Sequence, residues 1–202
     1  MKITRLILFV VVTILIPFCR LCAQSIKDSY VINNNNDTIK CEIKVLFFGS
    51  VKYKPLTATN NKYILASPSD IKEYHIAGNA NSYVAIALAD EGKIGYISIL
   101  EKGRINLYEK ITSNENGYSQ ISSILTRWYV SKDYAPLQKL KSTTVYNGGA
   151  QDDQTISKKS KEYFLELIAD DGPLFEKFRA ETDFSFSKLQ YYVHQYNLDK
   201  LN

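Results

Sequence analysis

Cysteine is almost missing from the part of this chain that would do its work. Of three cysteines in 202 residues, Cys19 and Cys22 fall in an apolar leader, which leaves Cys41 alone. One thiol forms no intrachain disulfide, so a small disulfide-held scaffold is excluded and stability has to come from packing. Histidine is scarcer still. His75 and His194 stand more than a hundred residues apart, with no cysteine or carboxylate at ligand spacing, so no metal site is expected. Catalytic signatures are missing as well. No Gly-x-Ser-x-Gly elbow marks a nucleophilic serine. Asn147-Gly148-Gly149 leads into neither Lys-Ser/Thr nor a helix, so no phosphate-cradling loop is expected and no cofactor is implied.

Charge of one sign is lacking too. The formal net charge is +4, and the first 23 residues hold Lys2, Arg5 and Arg20 with no acid, so the remainder carries +1. A near-neutral chain has no electrostatic footprint for nucleic acid. The paired acids Asp90-Glu91, Asp152-Asp153 and Asp170-Asp171 read as a hairpin tip, a linker and a helix end rather than as catalytic pairs. The apolar run from Leu6 to Phe18 covers thirteen residues, short of the roughly 20 that a spanning helix needs.

What is present begins with that run. Lys2 and Arg5 precede it, and Leu21-Cys22-Ala23 followed by Gln24-Ser25 closes it, the order of a cleavable secretory signal. Residues 1–23 are therefore expected to be removed, giving an exported chain that starts at Gln24 with no transmembrane span. Phe18 and Leu21 sit where a lipoprotein signal needs a small residue before its cysteine, so the leader reads as cleaved rather than as lipidated at Cys22.

Residues 24–141 read as antiparallel β-structure. Ile39, Cys41, Ile43, Val45 and Phe47 alternate with Lys40, Glu42, Lys44 and Leu46, the pattern of a strand with one buried side. That side places Cys41 among apolar neighbours, where a thiol is inert. Asn33 to Asp37 joins this strand to Tyr30-Val31-Ile32 as a hairpin turn, and turn chemistry also accounts for the sequon-like Asn36-Asp37-Thr38. Further strands are expected over 51–54, 62–66, 73–77, 83–88, 94–100, 104–110 and 127–131. One helical turn is expected at Pro68-Ser69-Asp70, and a second hairpin turn at Ala89-Asp90-Glu91-Gly92. Residues 112–120 are polar and read as an exposed loop. Residues 142–160 are more polar still and read as a flexible linker.

From 161 to 202 the apolar period changes from 2 to 3.6. Tyr163, Phe164, Leu167 and Ile168 form one stripe, and Gly172-Pro173 opens a second helix bearing Leu174, Phe175 and Phe178. Ser185 caps a third, with Leu189, Tyr192, Val193 and Tyr196 at i, i+3, i+4 and i+7. The fold expected is α+β: a mostly antiparallel meander or open barrel followed by three short helices packed on it.

Fifteen tyrosines and Trp128 are the one compositional excess, and flat aromatics serve both sheet packing and binding. Adjacent strand residues point to opposite faces, so Trp128 with Val130 is placed in the core. Arg127 and Tyr129 are then the candidate binding surface, an exposed ring beside a cation.

Tyr30-Val31-Ile32, Asp37-Thr38-Ile39-Lys40, Asp70-Ile71-Lys72-Glu73-Tyr74, Ile105-Asn106-Leu107-Tyr108, Asp171-Gly172-Pro173-Leu174 and Tyr196-Asn197 together resemble a family of uncharacterised secreted proteins of the Bacteroidota. The resemblance implies a periplasmic or outer-membrane-associated protein and assigns no activity; for an exported chain an extracellular location stays open beside these. The leading functional expectation is a non-catalytic module, structural or bound to another envelope protein. A glycan-binding module using exposed aromatics is the alternative, and an enzyme with a spatially assembled site the third.

Overall fold

The computed structural model describes residues 28–46, 50–88, 91–115, 122–146, 149–152, 154–182 and 184–200. The expected leader and the start at Gln24 lie outside them. Among the described residues there are eleven strands: β1 (Tyr30–Asn33), β2 (Thr38–Val45), β3 (Val51–Pro55), β4 (Ile64–Leu65), β5 (Ile71–His75), β6 (Ser82–Leu88), β7 (Lys93–Glu101), β8 (Ile105–Glu115), β9 (Ser122–Lys132), β10 (Gln138–Tyr146) and β11 (Gly149–Asp152). Three helices follow: α1 (Gln154–Leu167), α2 (Gly172–Ala180) and α3 (Phe186–Asp199). The chain is α+β, with one open sheet ordered β11-β10-β9-β8-β7-β6-β5-β1-β2-β3-β4. Every pairing in it is antiparallel.

The turns form where the sequence carries turn chemistry. Asn33 Oδ1 accepts from the backbone N–H of Asn35 and of Asp37, both at 2.9 Å. Asn36 takes φ 69°, a left-handed conformation that asparagine tolerates. Gly92 takes φ 62° and closes the β6–β7 hairpin by donating to Leu88 O at 3.0 Å. Pro68 to Asp70 forms a turn but no helix, with Asp70 and Ile71 both donating to Ser67 O.

Two longer polar stretches also differ from expectation. The expected loop over 112–120 is strand up to Glu115, where β8 pairs residue by residue with β9; residues 116–121 lie outside the described ones. The expected linker over 142–160 instead finishes β10, forms β11 and starts α1. Polarity alone misreads both, because a ladder satisfies backbone groups whatever the side chains are.

Cross-strand partners share a face and neighbours along a strand alternate, which sorts the core. One face carries the helices: Ile105, Leu107, Trp128, Val130 and Leu140 pack with Phe164, Ile168, Leu174, Phe178, Leu189, Val193 and Tyr196 in one buried cluster. The Phe178 ring meets Phe164 at 4.7 Å and Tyr192 at 4.9 Å, both edge-on. Asp171 caps α2 by accepting from Leu174 N at 3.2 Å, and Ser185 caps α3 by accepting from Lys188 N at 3.4 Å. At the end of this face away from the helices, the sheet curls on itself. Val31, Cys41, Val51, Ile71 and Tyr74 pack there with Tyr83 and Tyr96, and Tyr96 donates to Ile71 O at 2.8 Å.

The opposite face is closed as well. Leu88, Ile97, Tyr108 and Tyr129 form a third buried cluster. β6 and β9 are separated by two strands, about 14 Å apart in a flat sheet, so the ion pair between Glu91, just past β6, and Arg127 on β9 requires the sheet to coil over this face. The β6–β7 turn folds over the same face, where Glu91 accepts from Lys110 and from Arg127, the latter at 3.2 Å.

Candidate functional site: an uncovered end of the sheet

Arg127 and Tyr129 do not form a binding surface. Tyr129 is 3% exposed, packed with Tyr108, Ile97 and Leu88, and Arg127 is paired with Glu91. Alternation places Trp128 and Tyr129 on opposite faces, as expected, but the coiling of the sheet buries both. Trp128 sits in the helix-side core, its Nε1 donating to Glu109 Oε1 at 2.9 Å and its ring 4.5 Å from Phe186.

The other residues weighed for chemistry are scattered. His75 is buried on β5, stacked at 5.4 Å on Tyr30. His194, on α3, lies with Nδ1 3.1 Å from Glu101 Oε2. Cys41 is buried, and desolvation pushes its thiol up to about 11, leaving no thiolate at neutral pH. Among the described residues, no group of three or more His, Cys, Asp and Glu could hold a metal ion.

The densest polar cluster joins sheet to helices. Arg104 grips Asp133 with two bonds, Nε to Oδ1 at 3.0 Å and Nη2 to Oδ2 at 2.7 Å, and reaches Asp170 Oδ2 at 3.2 Å. Asp170 also accepts from Lys132 at 2.8 Å and from the buried Tyr196 hydroxyl at 3.0 and 3.1 Å. Lys132, Lys200 and Arg104 lie over the Tyr196 ring. Arg104 and Lys132 are matched by Asp133 and Asp170, and Lys200 donates to the Asp170 backbone carbonyl at 3.1 Å and lies 4.0 Å from Asp171, so the cluster works as a clamp holding the α1–α2 turn and α3 to the start of β8 and the end of β9.

The clamp has a pH signature. Partial burial opposes ionisation of Asp170, but hydrogen bonds from Lys132 and Tyr196 outweigh it and hold the carboxyl at about 2, against roughly 3.9 when unfolded. A depressed carboxylate contributes stability above the unfolded value and loses it as pH falls through the folded one. The urea midpoint should therefore drop between about pH 4 and pH 2, and Asp170→Asn should flatten that part of the profile. Because the side chain is 42% exposed, screening keeps the effect modest. Identical pH profiles for the two proteins would refute the assignment.

A different arrangement marks the far ends of β8, β9 and β10. Ile111, Ile124 and Val145 share the face that carries the helices, yet are 60%, 47% and 41% exposed. Val145 is directly opposite Ile124, and Ile111 is opposite Thr126, one step away on the same face. Hydroxyl side chains, Ser113, Thr126 and Thr143, fill the positions between. Three neighbouring strands thus present aliphatic side chains beyond the reach of the helices. Val145 was concealed in the polar stretch 142–160, and Ile111 and Ile124 lay just outside the expected strands over 104–110 and 127–131; three β-branched aliphatics on paired strands were the available signal.

Tyr134 is 98% exposed, and the exposed Tyr191 ring packs edge-on against the buried Tyr192 at 5.4 Å. No helix among the described residues is long and apolar enough to cross a membrane. Comparison with protein-family models, with curated proteins and with solved structures finds no match.

Proposed function

We propose that the chain is an exported envelope protein, periplasmic or outer-membrane-associated, that works without catalysis as a protein-binding or structural module. Its partner seats an apolar strand or helix face on Ile111, Ile124 and Val145. The observation that carries this reading is the grouping of the three exposed side chains on one face of three paired strands. Scattered surface aliphatics are ordinary, whereas grouped ones with a polar surround are typical of interaction surfaces. The leader sequence supports export, and the hydroxyl residues between the aliphatics suit the mixed polarity of a non-obligate interface.

The test is capture from envelope extracts by the wild-type chain and by Ile124→Asp, with a glycan array run in parallel. Ile124 is exposed and belongs to none of the buried clusters, so Ile124→Asp should stay within about 0.5 kcal/mol of wild-type stability and lose a specific protein partner. Specific glycan retention that Ile124→Asp leaves unchanged would favour the glycan-binding alternative instead.

A further inference from the structure

The β2–β3 hairpin and β4 carry a second group of exposed apolar residues. Val45 is 58% exposed, Leu46 40%, Ile64 48% and Leu65 54%. Leu46 N donates to Ser50 O at 2.7 Å, so Leu46 sits where the hairpin turns. Register places Lys44, Lys52 and Leu65 in one row across three strands, and Val45 and Ile64 on the opposite face. Apolar side chains therefore surround the tip instead of lining one side of it.

Charge at the tip is one-sided. Lys44 and Lys52 are direct cross-strand partners, a like-charge pair that an antiparallel ladder disfavours. Lys44 lies 4.1 Å over the Tyr63 ring. Lys52 has no ion pair among the described residues. The acid on the same strands, Glu42, is one register step farther from the tip. It is already held by Lys54 at 3.0 Å and by the Tyr63 hydroxyl at 2.6 Å.

We propose that this tip docks on an anionic lipid surface: Val45, Leu46, Ile64 and Leu65 enter the interfacial layer while Lys44 and Lys52 meet the headgroups. A peripheral anchor of this kind combines apolar area with cationic attraction to anionic lipid. Lysine suits the position, since its alkyl stem lies along apolar surface while the ammonium stays at the polar boundary. Strand addition by a partner protein fits less well, because β4 offers an edge of only two residues against a usual strand of about five or six. A protein surface would also engage one face of the hairpin, whereas a lipid interface surrounds both.

The experiment is co-sedimentation of the exported, purified chain with vesicles of phosphatidylglycerol and phosphatidylcholine, compared with phosphatidylcholine alone. Binding should favour the anionic vesicles by at least tenfold and weaken with salt. Leu46→Glu with Leu65→Glu should reduce it at least tenfold, as should Lys44→Glu with Lys52→Glu. Ile124→Asp should bind like wild type, which separates this surface from the protein-binding face. Circular dichroism melts confirm that each variant is folded. Equal binding to both vesicle types, or tip variants that sediment like wild type, would overturn the proposal; a lipid anchor elsewhere in the chain would give that result. Absence of vesicle binding together with loss of a protein partner in the tip variants would overturn it as well.

Discussion

Asn197→Ala should destabilise the protein by about 2–6 kcal/mol, far more than loss of a helix-terminal amide ordinarily costs. Asn197 lies on α3, yet its amide behaves as a piece of strand. Oδ1 accepts from Ile105 N at 3.0 Å and Nδ2 donates to Ile105 O at 2.8 Å. Ile105 is fully buried and Asn197 nearly so. Removing the amide leaves a buried N–H and a buried C=O without partners, each costing about 1–3 kcal/mol. Gly103 explains why the amide fits. A Cβ at that position would lie 2.6 Å from Oδ1 and 2.7 Å from Nδ2 of Asn197, closer than real Cβ atoms approach. Gly103→Ala should therefore force the amide off Ile105 and be destabilising by itself. In an Asn197→Ala background the obstruction is gone, and Gly103→Ala should add no more than about 0.5 kcal/mol. Urea midpoints for the four proteins at constant m-value close the cycle. Strict additivity would show that the two residues do not share this contact.

Trp128→Ala and Tyr129→Ala should each lower stability by about 3–5 kcal/mol, on the order of 10 °C in Tm for a chain of this size. Such adjacent losses are unusual, because a sheet with one wet face spares every second residue. Here Trp128 packs between Leu107, Val130 and the helices, while Tyr129 packs against Tyr108, Ile97 and Leu88. Tyr129→Ala melting like wild type would mean that the outer face is open and the sheet less coiled than described.

The β-strands with alternating side chains were legible in sequence, β2 most plainly, as were the three helices with the Ser185 cap and the Pro173 start. Tyr129 was not, for a definite reason. Alternation assigns residues to faces, but whether a face is covered depends on coiling across several strands, which no local pattern records. β10 and β11 were obscured by their polar composition, since backbone pairing of β10 with β9 and of β11 with β10 stabilises them regardless of side-chain polarity. The Asn197–Ile105 contact spans 92 positions, and neither residue carries a local signal for it. At the candidate site, Val145 stood in the polar stretch 142–160, and Ile124 fell between the expected loop over 112–120 and the expected strand over 127–131.

The proposed function rests on the uncovered end of the helix face, and site-specific photo-cross-linking tests it most directly. A photoreactive residue at position 124 samples that face, and one at position 134, the most exposed described aromatic, serves as control. Irradiation in intact envelopes should give one discrete protein adduct from position 124 and none from position 134. No adduct at 124, or the same diffuse ladder from both positions, would contradict the account.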